Sequence, residues 1–240
     1  MIRLLLYQLQ LHLRMTSTYV MLLLVALAYG LVLETPPSGF APIAAMTYDS
    51  FIIVWVTLTF VLQLTGFHQF FFQPEALQYR IARLRNRGKI IGASLIHVVI
   101  LALFATLPFA VIYFSILEDV RIAVMAWSNM ALFFVFIGVA TAAIVRFTGP
   151  GTMAAVVVLG LLFLLPISLN SMGAFAPGLD SNPIVGAVTS LLGSHMDVSG
   201  NTTLLMTRGI QDTDAVLRTL ILTPILATFT YVHFLRGDHH

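Results

Sequence analysis

Five cations fall within ten residues at Arg80, Arg83, Arg85, Arg87 and Lys89, the densest chemistry in the chain. Leu77, Ile81 and Leu84 recur among them at i, i+4 and i+7, while Arg80, Arg83 and Arg87 line the other side. Pro74 and Glu75 suit the start of a helix, because proline fits a first turn and an acid there complements the dipole. The pattern predicts a short amphipathic helix over Ala76–Arg85, followed by Gly88-Lys89. Its chemistry is recognition: guanidinium groups pair with carboxylates, phosphates and anionic headgroups. Two uses stand side by side, an anchor beside a membrane and a face that docks on another protein.

Other chemistries find little support. The chain has no cysteine, which removes disulfides, thiolate metal sites and a cysteine nucleophile. Gly88-Lys89-Ile90 is its one Gly-Lys pair and lacks the upstream glycine and the hydroxyl of a phosphate-binding loop, so ATP hydrolysis by that route is excluded. Gly92-Ala93-Ser94-Leu95 lacks the second glycine of the intramembrane serine-protease motif. Asn182-Pro183-Ile184 is half of a water-channel pattern that needs a pair. No His and acid have metal-ligand spacing. No catalytic, cofactor-binding or metal residue is expected, and the chain is not expected to be an enzyme. Asn201-Thr202-Thr203 is a glycosylation acceptor only in a eukaryotic secretory setting.

The elements that carry these residues follow from the charges. Only 9% of residues are charged and 59% are hydrophobic, against about 25% charged in soluble proteins. Uncharged runs of 19, 25, 28, 24, 33 and 17 residues separate Arg14 from Glu34, Asp49 from Glu75, Lys89 from Glu118, Arg121 from Arg146, Arg146 from Asp180, and Arg218 from Arg236. A helix crossing a bilayer needs roughly 20 apolar residues. The expectation is an all-α integral membrane protein, a single transmembrane domain over 1–240, with six spans at 16–33, 48–71, 90–114, 122–145, 152–169 and 219–235. Pro108, Pro166 and Pro224 interrupt three of them. No cleavable signal peptide is evident.

Orientation follows from the cation excess of cytoplasmic loops. With the N-terminus inside, 9 of the 12 basic residues face the cytoplasm, and most acids face outward. Both termini are expected in the cytoplasm. The basic residues gather beside a membrane, so nucleic acid is not an expected partner. Asp49 is placed at an outer edge, which leaves no Asp, Glu, Lys or Arg deep in a span to bind a driving ion. His68, His97 and His233 are placed near inner ends as interfacial residues.

Residues 1–15 precede the first span. Arg3, Tyr7, Gln10 and Arg14 share one helical stripe, leucines cover most of the remainder, and Gln8 and His12 fall off the stripe. A helix lying in the membrane interface fits this pattern; an overlong first span is the other reading. A proline-rich outer loop is expected over Glu34–Ala45. The long outer segment from Asn170 to Arg218 is expected to hold short re-entrant helices, from Ser171–Pro177 and Pro183–Leu192, and another over Thr202–Ile210.

These features together resemble the permease subunit of type-2 ATP-binding-cassette exporters. Gln78 through Gly92 looks like the family's coupling region, and the run ending Leu11-His12-Leu13-Arg14-Met15-Thr16-Ser17 looks like its interface helix. The resemblance implies docking by Glu75, Leu77, Arg80, Ile81, Arg83, Leu84 and Arg87, with Arg3, Tyr7, Gln10 and Arg14 on the interface helix. It also implies two copies of a cytoplasmic ATPase, a second permease chain, the prokaryotic plasma membrane, and outward movement of an amphipathic or peptide-like cargo. An accessory or assembly protein without transport, and a channel, are the competing readings.

Overall fold

Lipid offers no partner for a backbone amide, so a long apolar run satisfies its hydrogen bonds internally as a helix. The structure, a computed structural model, describes residues 2–35, 39–71, 86–148, 152–165, 167–168 and 183–236, and every regular element among them is helical. In chain order these are α1 (Ile2–Leu13), α2 (Thr16–Leu33), α3 (Ala41–Phe71), α4 (Arg87–Ala105), α5 (Leu107–Ile116) and α6 (Val120–Thr148). Then follow α7 (Thr152–Leu159), running into a π-helical turn at Gly160–Leu164, α8 (Pro183–Arg208) and α9 (Thr213–Arg236). Five stretches are long and apolar enough to cross a bilayer: α2, Ala41–Gln69, Arg87–Ile116, Val120–Val145 and α9. The chain is a multi-pass membrane protein. Met153–Leu164 is apolar but shorter.

Prolines set some boundaries where hydropathy set others. Pro42, expected in a loop, stands in the first turn of α3, which begins at Ala41 and not at residue 48; a proline there loses no hydrogen bond. Pro108 divides the third run, with Thr106 as the joint between α4 and α5. The Thr106 hydroxyl donates to the Leu103 carbonyl at 2.7 Å and accepts the Trp127 indole N–H at 3.0 Å, tying the joint to α6.

The segment expected to hold separate pieces at Pro183–Leu192 and Thr202–Ile210 is instead the single helix α8; Ser171–Pro177 lies outside the described residues. Interior glycines cost about 1 kcal/mol each against alanine but keep their amide hydrogen, so the helix runs through them. Gly209 ends it. Its φ of 63° is left-handed, and its N–H bonds the Leu205 carbonyl at 3.0 Å.

Helix α6 is the centre of the bundle: 72% of its span is buried, against 22% for α2 and α9. Phe134 meets the Phe60 ring of α3 edge-on at 5.5 Å and lies 5.8 Å from Phe109 of α5. One turn further, Gly138 lets α3 and α4 close in; a Cβ there would lie 2.6 Å from Val98 Cγ1 and 3.2 Å from Phe60 Cζ. Small residues permit such approach between membrane helices. Tyr19 and Leu23 on α2, and Ile221 and Ile225 on α9, face outward.

The bundle has a basic end and an acidic end. The tail of α3, the start of α4 and the tail of α9 meet at Phe67, Phe71, Ile90, Ile91 and Phe234, with Leu4 and Leu11 of α1 packed against them. Arg3, Arg87, Lys89 and Arg236 lie on these same elements, and Arg14 in the turn that follows α1. Glu34, Glu118, Asp119, Asp212 and Asp214 lie at the other end, with Arg121, Arg208 and Arg218.

Candidate functional site

At the basic end α1 is a helix in its own right. A turn at Arg14 and Met15 separates it from α2, and Met15 is extended at the α2 N-cap, so α1 is not the start of an overlong first span. Arg3, Tyr7, Gln10 and Arg14 are all exposed, as one stripe. The two residues off that stripe turn out to be the ones that seat the helix. Gln8 is fully buried and its Nε2 donates to Ser94 Oγ of α4 at 2.9 Å. Thr18 donates to the His12 carbonyl at 2.6 Å and accepts Gln63 Nε2 at 3.1 Å. The His12 ring stands edge-on to His97 of α4 at 5.3 Å, and His97 stacks on Phe67 at 4.5 Å.

Burial holds the His12 imidazole down to about 4 from 6.5, with Gln63 opposing weakly. Neither ring nitrogen closes a hydrogen bond of good geometry. The neutral form therefore suits the seated helix. As pH falls through 6.5 a released α1 gains a proton that the seated one refuses, so seating weakens toward pH 4 and levels off below it. The loss reaches up to about 3 kcal/mol. A nitroxide on Gln10→Cys, the lone cysteine in this cysteine-free chain, should become more mobile across that window. His12→Gln should flatten the response, and an unmutated protein with no response refutes the assignment.

The predicted docking helix falls mostly outside the described residues: Glu75, Leu77, Arg80, Ile81, Arg83 and Leu84 all do. Its flanks are placed. Phe71 is buried in the basic-end cluster, and Asn86 caps α4 by accepting the Lys89 N–H at 3.0 Å. Arg87, assigned by periodicity to the docking helix, is instead the first residue of α4. The asparagine cap explains this, because Asn86 is extended and starts a new helix.

At the acidic end a cleft of about 260 Å³ is lined by Gly39, Pro42, Leu117, Glu118, Asp119 and Met206, among others. Beneath it lies Asp49: with α3 starting at Ala41 it sits two turns into the helix and is only 4% exposed. Tyr113 of α5 faces it, itself fully buried.

Deeper, His195 of α8 is fully buried and its Nε2 bonds the Leu162 carbonyl at 2.9 Å. Leu162 lies in the π-helical turn, so the imidazole ties α8 to that turn. It is stacked on Phe136 at 5.1 Å and Phe133 at 6.0 Å, with Phe163 edge-on at 5.7 Å. Asn201 is also buried, with its Nδ2 donating to the Asp212 carbonyl at 2.9 Å and its Oδ1 accepting the Asp212 N–H at 3.0 Å. The sequon asparagine is thus a structural clamp, closed to a glycosyl donor in the folded chain.

Among the described residues no group of three His, Cys, Asp or Glu is placed to hold a metal ion. Comparison with protein-family models, curated proteins and solved structures finds no match. Asp49, His195 and the Gln8–His12 seat escaped sequence reasoning. One signal was present: Pro42 and Asp49 stand seven apart on one helical stripe.

Proposed function

We propose that this chain is the membrane-spanning permease subunit of a type-2 ATP-binding-cassette exporter. It moves an amphipathic or peptide-like substrate outward, with ATP hydrolysed by a separate cytoplasmic ATPase present in two copies and with a second permease chain as partner. The observation that carries the reading is the arrangement at the basic end. An amphipathic helix with Arg3, Tyr7, Gln10 and Arg14 exposed is wedged against α3 and α4 where the arginine-rich segment leaves and re-enters the bundle. A force on that end reaches both helices. The basic end is the cytoplasmic one in this reading, in a prokaryotic plasma membrane. Thr16 and Phe234 share that end, and in this reading the stretch from Thr152 makes the sixth crossing.

The test is purification of the chain from its native membrane in mild detergent. An ATP-binding-cassette ATPase, identified by mass spectrometry and by nucleotide hydrolysis, is expected to accompany it. Arg83→Glu with Arg87→Glu should lower its recovery at least about tenfold, the effect of losing roughly 1.4 kcal/mol or more of docking energy. Undiminished recovery in the double variant would count against the docking helix. Absence of any ATPase would favour the accessory or channel readings.

A further inference from the structure

Among the described residues Asp49 is the one carboxylate buried in a spanning helix, and it has no place in the exporter reading. Asp49 is 4% exposed, and the fully buried Tyr113 hydroxyl faces it within reach of its carboxyl. A carboxyl and a phenol paired in an apolar wall share a site where only something small can bind. Ionisable groups inside a membrane are rare because they are costly, and those retained bind or relay ions.

The surroundings limit what that something is. A hard metal cation takes about six or more oxygen ligands, and here two oxygen-bearing side chains meet. The buried neighbours on the same helices, Ala45 and Ile52 on α3 and Ile112 and Ile116 on α5, are apolar. A proton needs a single lone pair. We propose that Asp49 and Tyr113 form a proton-binding site loaded from the acidic end. The Asp49 carboxyl takes up and releases the proton, and the Tyr113 hydroxyl is its hydrogen-bond partner.

The approach is drawn by the helix repeat. Pro42 precedes Asp49 by seven residues, and Leu117 follows Tyr113 by four, so both cleft-lining residues stand on the stripes above the pair. Pro42 to Asp49 is about 10 Å of helix rise. Glu118 and Asp119 at the mouth raise the local cation concentration.

Other titratable groups do not compete. Among the described residues of α3 and of the elements packed against it, the buried ones are His68 of α3, His12 of α1, Tyr113, His97 of α4 and His195 of α8. His12, His68 and His97 gather around Phe67, about 27 Å along α3 from Asp49, and His195 is held at Leu162. The buried residues of α2 are Thr18, Met21, Leu24 and Ala28, with no ionisable group among them.

The experiment uses the full chain alone in lipid nanodiscs, with no ATPase, so its outcome is independent of the exporter reading. The apolar reagent dicyclohexylcarbodiimide adds to a protonated carboxyl in apolar surroundings: the acid proton goes to nitrogen, and oxygen attacks the central carbon. Mass spectrometry should find the adduct on Asp49, and labelling should fall about tenfold per pH unit above the midpoint. Infrared difference spectra should show a carboxylic C=O band that Asp49→Asn abolishes and Tyr113→Phe moves to higher wavenumber. The unmutated protein supplies both readouts even if a variant fails to fold. Absence of adduct and of band at every pH overturns the proposal. So does a band that follows sodium and ignores pH, which would mark a metal-ion site.

Discussion

His195→Ala is expected to destabilise the folded chain by about 3 kcal/mol, because it combines a cavity with a lost interhelical bond. The imidazole fills a pocket walled by Phe133, Phe136 and Phe163 and bonds the Leu162 carbonyl of the π-helical turn. His195→Phe separates the two contributions. A phenyl ring keeps the stacking and loses only the hydrogen bond, worth about 1 kcal/mol or less between membrane helices. His195→Gln keeps a donor and gives up the ring. Circular dichroism during detergent-driven unfolding should rank the proteins wild type, Phe, then Ala. If Ala matches wild type, His195 does not hold α8 to the π-helical turn. If Phe falls as far as Ala, the hydrogen bond outweighs the packing and the ledger here is reversed.

Gly138→Leu is the second large effect, roughly 3 kcal/mol of overpacking. Even Gly138→Ala puts a Cβ 2.6 Å from Val98 Cγ1 and 3.2 Å from the Phe60 ring. Valine is stiff about χ1 and does not swing aside cheaply. The gain of about 1 kcal/mol in helix propensity from glycine to alanine offsets part of that clash. Val98→Ala should therefore rescue Gly138→Ala while destabilising the chain when made alone, a coupling that a double-mutant cycle reads directly. Additive effects would show that α4 and α6 do not touch at this point.

What could be read from the chain was whatever depends on near neighbours. The spans were legible because hydrocarbon excludes charge, so uncharged runs and helix lengths must agree. The exposed stripe of α1 was legible because Arg3, Tyr7, Gln10 and Arg14 obey the helical period. What seats α1 was not legible. Gln8 and His12 looked like blemishes in an amphipathic pattern, and the group that satisfies Gln8 lies 86 residues away on α4. Pairings at that separation leave no periodic trace. The burial of Asp49 was hidden for a different reason. Pro42 was assigned to a loop; with Pro42 in the first turn of α3, Asp49 lies two turns into the helix and faces Tyr113 of α5. The single helix α8 was missed because Gly193 suggested an end to the piece over Pro183–Leu192 that only a proline would enforce.

The amide clamp between Asn201 and Asp212 has a mechanical corollary. Arg218 of α9 also donates to the Ser190 hydroxyl of α8, so the two helices are riveted at points 11 residues apart along α8. Two rivets fix an angle where one would leave a pivot. Helices α8 and α9 must then travel as a single bracket, and a crosslink that freezes either of them immobilises both.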